Sequence, residues 1–96
     1  MGKVYIVAAK RTAIGKFLGT LANVSAADLA ATVIKNIVEE TGIDPSKLDE
    51  VVMGNILSAG QGQGIARQAA IKAGIPQEVP AYAVNMICGS GMKSVI

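Results

Sequence analysis

The chain holds one cysteine, Cys88, and no histidine. Cys88 stands in the run Asn85-Met86-Ile87-Cys88-Gly89-Ser90-Gly91, after an apolar strand-like stretch and before a small-residue stretch with a helical look. That order describes a strand-to-helix elbow. Gly89 and Gly91 let another backbone or a substrate come close, and a thiol at a helix N-terminus lies at the positive end of the dipole, which favours the thiolate, the nucleophilic form. The Gly-x-Ser-x-Gly pattern of a serine nucleophile elbow is not met, so Ser90 is a poor nucleophile. The plainer reading of a lone cysteine in an apolar stretch is a small buried hydrophobe.

Other chemistries are excluded by composition and spacing. One cysteine without histidine rules out an internal disulfide framework, a local zinc site and a Cys-His pair. Nine Lys plus Arg against seven Asp plus Glu leave a net charge of +2. These charges are spread thinly, which speaks against a phosphate-tracking nucleic-acid surface. The stretch Gly60-x-Gly62-x-Gly64 lacks the G-x-G-x-x-G spacing of a dinucleotide site, and Gly91-Met92-Lys93-Ser94 lacks the glycine directly before lysine that a P-loop needs. The glycine stretch then reads as a plain flexible connection, and Arg67 as an interface or solvent residue. The uncharged runs 51–66 and 79–92 are broken by glycine and are too short to span a bilayer. Residues 1–7 lack the parts of a signal peptide. The expectation is a cytoplasmic protein with neither nucleic-acid nor membrane partners.

The elements that position Cys88 follow from patterning. Val4 to Ala9 is a continuous apolar run of β-favouring residues, read as a strand buried on both faces. Residues 12–24 carry Gly15 and Gly19 without a steady period and form a loop. Ser25 caps a helix over 26–41, with Asp28 completing a capping box and Gly42 ending the run. Leu29, Val33, Ile34, Ile37 and Val38 share one face of it. Asp44-Pro45 starts a short turn. Val51 to Leu57 is a second strand, Ile65 to Ala73 a helix stopping at Gly74, Ala81 to Asn85 a third strand, and a last helix opens near Cys88. Helices between strands imply crossovers, hence an α/β fold with a mostly parallel sheet covered by helices on both faces.

At 51% apolar residues, so small a unit has more apolar surface than it can bury alone. The chain also closes on Ser94-Val95-Ile96 without a cap, so residue 96 reads as a truncation point.

The run Asn85-Met86-Ile87-Cys88-Gly89-Ser90-Gly91-Met92-Lys93 resembles the acyl-thioester signature of the thiolases. Val7 to Gly15 resembles that family's opening strand and turn. Gly54-Asn55-Ile56-Leu57 through Ala66-Arg67-Gln68-Ala69-Ala70 resembles its second strand, glycine loop and helix. The resemblance runs along the whole chain in order and is strongest to the acetoacetyl-CoA, or acetyl-CoA acetyltransferase, branch. Gln61-Gly62-Gln63-Gly64-Ile65 departs from the Asn-Pro often found before Ala-Arg-Gln, which touches the branch and not the nucleophile.

The resemblance implies a layered αβαβα fold, of which residues 1–96 are the first portion of the N-terminal domain. It implies that Cys88 attacks an acyl-CoA thioester, releases CoA and holds the acyl group. A second acetyl-CoA then condenses to give acetoacetyl-CoA, or the reverse thiolysis runs. The backbone N–H of Cys88 becomes a donor to the oxyanion. No metal or bound redox cofactor is implied, CoA thioesters being substrates. The family's histidine, its second cysteine and its CoA-gripping loop region have no match here, so the chain alone is not expected to complete the cycle. The implied partners are the remaining polypeptide and a second copy in a homo-oligomer. Pro80 to Val84 is the strand nearest such a contact, or else an ordinary interior strand. The alternative from another class is a noncatalytic structural or interface piece.

Overall fold

The computed structural model describes residues 2–96. Its first regular element is helix α1, Ala26–Thr41. Both ends follow the local chemistry expected of them. Ser25 adopts extended backbone and its hydroxyl accepts from the Asp28 N–H, while Gly42 enters the left-handed region (φ 68°) and donates back to the Val38 carbonyl. A short 3-10 turn, Pro45–Lys47, follows, with the Asp44 carboxylate accepting from the Ser46 N–H and hydroxyl. These contacts hold the Asp44 carboxyl below its ordinary range.

Strand β1 is Val51–Gly54, helix α2 is Ile65–Lys72, strand β2 is Ala81–Val84 and helix α3 is Ser90–Val95. β1 and β2 pair in parallel, with Val51 opposite Ala81 and Gly54 opposite Val84. The ladder is extended at both ends, by Val51 N–H to the Pro80 carbonyl and by Asn55 N–H to the Val84 carbonyl. β1 stops three residues short of the expected Leu57. Beyond Asn55 the chain runs past the end of the strand it pairs with, and Leu57 is exposed.

The helices lie on both faces of this sheet. Val51 and its register partner Ala81 pack with Ala70, Ile75 and Val79, and Ile34, Val38 and Leu48 close over the same cluster. Side chains alternate along a strand, so Gly54 faces the opposite way. There the start of α3 sits directly on the strand. A Cβ added to Gly54 would lie 2.6 Å from the Ser90 carbonyl carbon and oxygen and 2.8 Å from the Gly91 nitrogen. Ala66, Ala69 and Ala70 are fully buried. These small side chains let α2 approach its neighbours closely. Lys72 of α2 bonds Asp28 of α1 at 2.7 Å.

The expected first strand is corrected. Val4 to Ala9 has no ladder, and Val4, Tyr5, Ile6 and Val7 are all more than two-thirds exposed. A strand buried on both faces needs a neighbour for its N–H and C=O groups and helices above and below it. The two-stranded sheet supplies neither to this segment. An ion pair from Lys10 to Glu40 at 3.0 Å joins it to α1. β2, expected as a buried strand, is half covered: Tyr82 and Ala83 are exposed. The Tyr82 hydroxyl donates to Glu50 at 3.3 Å. Desolvation and the neighbouring Glu50 carboxylate push its ionisation up.

Two tests follow from this packing. Gly54→Ala is expected to destabilise the fold by about 2 kcal/mol, the usual cost of overpacking, because it meets backbone and not a yielding side chain; urea unfolding measures it. The second concerns Asp28, whose carboxyl is held below its ordinary range by the Lys72 hydrogen bond, then by the Ser25 hydroxyl. A carboxylate lowered in the folded state contributes stability that is complete above its unfolded pKa of about 3.9 and is lost as pH falls through the lower folded value. Asp28→Asn should therefore lower the melting temperature at pH 6, and that difference should shrink as the pH falls below about 3.9.

Candidate active site

Parallel strands present their carboxyl ends on one edge, and the residues singled out by the sequence collect there. Asn55 leaves β1 and Asn85 leaves β2. Asn85 Nδ2 reaches toward the Ile56 carbonyl at 3.5 Å, tying the two exits. The edge of an α/β sheet at its carboxyl ends is where such folds bind ligands.

The glycine loop between β1 and α2 is built rather than loose. Gly60, Gly62 and Gly64 all take left-handed backbone (φ 75°, 79° and 55°). Gln68 Nε2 donates to the Gln61 and Gln63 carbonyls at 2.7 and 2.9 Å, and Asn55 Nδ2 donates to Gln61 Oε1 at 3.0 Å. The expectation of a plain flexible connection is corrected: one amide side chain on α2 stitches the loop. Left-handed residues at every second position are what the Gly-x-Gly-x-Gly spacing serves. Arg67 donates to the Gln77 carbonyl at 3.2 Å and stays partly exposed.

Cys88 lies on the turn from β2 into α3 and is exposed among the described residues. Its position is one residue short of the expectation. The helix cap is Gly89, and α3 spans only six residues. So short a helix carries a small dipole. The turn is instead fixed by side chains. Asn85 Oδ1 accepts from the Ile87 N–H at 3.0 Å, an Asx turn. The Ser90 hydroxyl, on a residue only 4% exposed, accepts from the Met86 N–H at 2.8 Å and donates to the Ile87 carbonyl at 2.7 Å. The Ser90 N–H donates to that same carbonyl at 3.1 Å.

Ile87 is thereby gripped at both its polar groups and sits at φ 50°. That region is a genuine outlier for a β-branched residue and persists only where the surroundings enforce it. The N–H of Cys88 makes no hydrogen bond among the described residues. Beside the thiol, Met86, Gly89, Met92, Lys93 and Ile96 line an open, mainly apolar recess of ≈ 220 Å³.

Residues 4–96 match the family model described as "Thiolase, N-terminal domain". The chain belongs to the thiolase family. A protein of Staphylococcus aureus (strain NCTC 8325 / PS 47) named "Probable acetyl-CoA acyltransferase" is 55% identical over 95 residues, which are 99% of this thiolase chain and 24% of that protein. An "Acetyl-CoA acetyltransferase" of Pseudomonas aeruginosa (strain PAO1) is 54% identical over the same length and shares. The thiolase chain thus spans about a quarter of the length of the curated relatives it matches. The layered α/β expectation agrees with this membership and with the parallel sheet between helices.

Among the described residues no cluster of His, Cys, Asp and Glu could hold a metal. No helix there is long and apolar enough to cross a membrane. Sequence reasoning placed Cys88 on its turn but missed what holds the turn. The hydrogen bonds of Ser90 to Met86 and Ile87 carry no local signature in the sequence. Asn85, two residues before a turn residue, carried a readable Asx signal. The left-handed Ile87 gives the site's own test. Ile87→Gly is expected to stabilise the chain by about 1 kcal/mol in chemical denaturation, since glycine enters this region without strain and the exposed isoleucine loses little packing.

Proposed function

We propose that this chain carries the acyl-accepting nucleophile of an acetyl-CoA acyltransferase, and that Cys88 is that nucleophile. The observation that carries the reading is an exposed thiol on a side-chain-clamped turn at the sheet's carboxyl edge, with its own N–H unbonded among the described residues. The names of relatives 54% and 55% identical support the substrate class.

In the first half-reaction the Cys88 thiolate attacks the thioester carbonyl carbon of acetyl-CoA. The carbonyl pair moves onto oxygen, where the Cys88 N–H donates to it. Collapse breaks the carbon–sulfur bond to CoA, whose thiolate leaves and takes up a proton. The acetyl group stays on Cys88 as a thioester, dividing one hard exchange into two easier ones. In the second half-reaction another acetyl-CoA loses an α-proton, and its carbanion attacks the acetyl-cysteine carbonyl. Acetoacetyl-CoA forms and Cys88 is freed as thiolate. Thiolysis is the same path reversed.

The family resemblance calls for a histidine as base for Cys88 and a second cysteine that moves the α-proton; these 96 residues hold neither, and in this reading both come from the rest of a polypeptide. A cytoplasmic, homo-oligomeric enzyme is the corresponding whole, with CoA thioesters as its substrates and no bound cofactor.

Incubation with acetyl-CoA followed by intact-mass and peptide analysis tests the first half-reaction. One acetyl group on Cys88 with equimolar release of CoA is expected. Cys88→Ala should lower labelling by about a thousandfold or more, the scale of losing a nucleophile. Equal labelling of the Cys88→Ala chain, or acetyl groups placed elsewhere, overturns the assignment.

A further inference from the structure

We propose that Ser90 is a positioning residue that aims the backbone N–H of Cys88 at the oxyanion of the acyl-transfer step. The inference rests on the reading of Cys88 as acyl acceptor and adds to it the group that orients its oxyanion donor.

The geometry follows from one peptide unit. The carbonyl of Ile87 and the N–H of Cys88 belong to the same planar amide, and none of the chain's described peptide bonds is cis. In a trans peptide the N–H points opposite to the C=O. The Ile87 carbonyl accepts from both the hydroxyl and the N–H of Ser90, at 2.7 and 3.1 Å, so it points into the first turn of α3. The Cys88 N–H is therefore directed away from α3, on the side where it meets no acceptor among the described residues.

The Ser90 N–H alone would satisfy the Ile87 carbonyl. The hydroxyl bond is thus additional, and it acts in two ways. It removes the freedom of the amide plane to rotate about the left-handed Ile87. It also polarises the amide, which makes the N–H at its other end a better donor. A hydroxyl has one proton and two lone pairs, so Ser90 can donate to Ile87 while accepting from Met86. Ser90 is itself anchored because α3 rests on the bare Cα of Gly54. The chain of support runs from β1 through Ser90 to the atom beside the nucleophile.

The test compares two reactions of the only thiol in the chain. p-Nitrophenyl acetate is attacked at a carbonyl: sulfur bonds to carbon, the carbonyl pair moves onto oxygen, and p-nitrophenolate is expelled to leave acetyl-Cys88. Iodoacetamide is attacked at saturated carbon, iodide leaves, and no oxyanion forms. Ser90→Ala should slow acetylation by about tenfold or more, part of the loss seen when an oxyanion donor is removed. Alkylation should change by less than about twofold, since it uses the thiolate alone. Ser90→Thr, which keeps the hydroxyl, should hold both rates within about threefold of the unsubstituted chain.

Equal slowing of both reactions by Ser90→Ala would mean a general loss of the turn and overturn the inference, as would no slowing of either. A Ser90→Thr chain that behaves like Ser90→Ala also overturns it. Hydrogen exchange on the unsubstituted chain decides the matter where Ser90→Ala loses its fold. The Met86 amide, bonded to the Ser90 hydroxyl, should exchange about tenfold or more slower than the unbonded Cys88 amide, and equal rates overturn the clamp. If acetyl-CoA fails to label Cys88 while the p-nitrophenyl acetate comparison holds, the substrate reading falls and the role of Ser90 stands. The reverse pattern removes Ser90 and leaves Cys88.

Discussion

Nothing larger than hydrogen fits between β1 and the start of α3 at Gly54, and that contact sets the place of everything after β2. A side chain there would push Ser90 outward, and Ser90 in turn holds Met86 and Ile87. The turn bearing Cys88 therefore inherits its geometry from a strand some thirty residues earlier in the sequence. Backbone against backbone is a stiff contact, because neither partner has a rotamer to change. The other face of the sheet works differently. There Ile34, Val38, Leu48, Ile75 and Val79 supply ordinary apolar packing around Ala70, and Lys72 and Asp28 join the two helices at the surface.

The parts of the fold that were legible in the sequence are those with local causes. Helix α1 begins and ends where its cap residues say, because Ser25 and Gly42 act within one turn of themselves. The Asp44-Pro45 turn follows for a similar reason, Asp44 capping it through the Ser46 N–H, whereas β2 forms where its apolar run finds β1 beside it. The strand expected over Val4 to Ala9 failed because strand formation is decided by a neighbour, and apolar patterning records the demand for one without providing it. Leu57 fell outside β1 for the same reason. At the site, the residue types around Cys88 were enough to find the nucleophile candidate. The clamp was not visible, since a serine's two hydrogen bonds depend on a helix that lands on a glycine far away in the chain.

The glycine loop shows a second way in which short-range chemistry makes a fixed shape. Three left-handed glycines would be a floppy hinge if left alone, because glycine has the widest backbone freedom of any residue. Two hydrogen bonds from Gln68 and one from Asn55 close that freedom. The carboxyl edge of the sheet is thus bordered by two ordered turns, each fixed by an amide or hydroxyl and not by apolar burial. Such a border can be polar and still hold its shape, which suits a surface that has to meet a ligand.

The segment over Val4 to Val7 has a consequence for handling the chain in solution. Four consecutive exposed β-formers with free amide and carbonyl groups make a template on which another extended chain can add, the same chemistry that builds fibrillar stacks. Lys3 on one side and Arg11 on the other place positive charge at both ends of the template. Successive copies stacked in register would bring those charges together. The flanking cations therefore act as gatekeepers, and their protection weakens as added salt screens them.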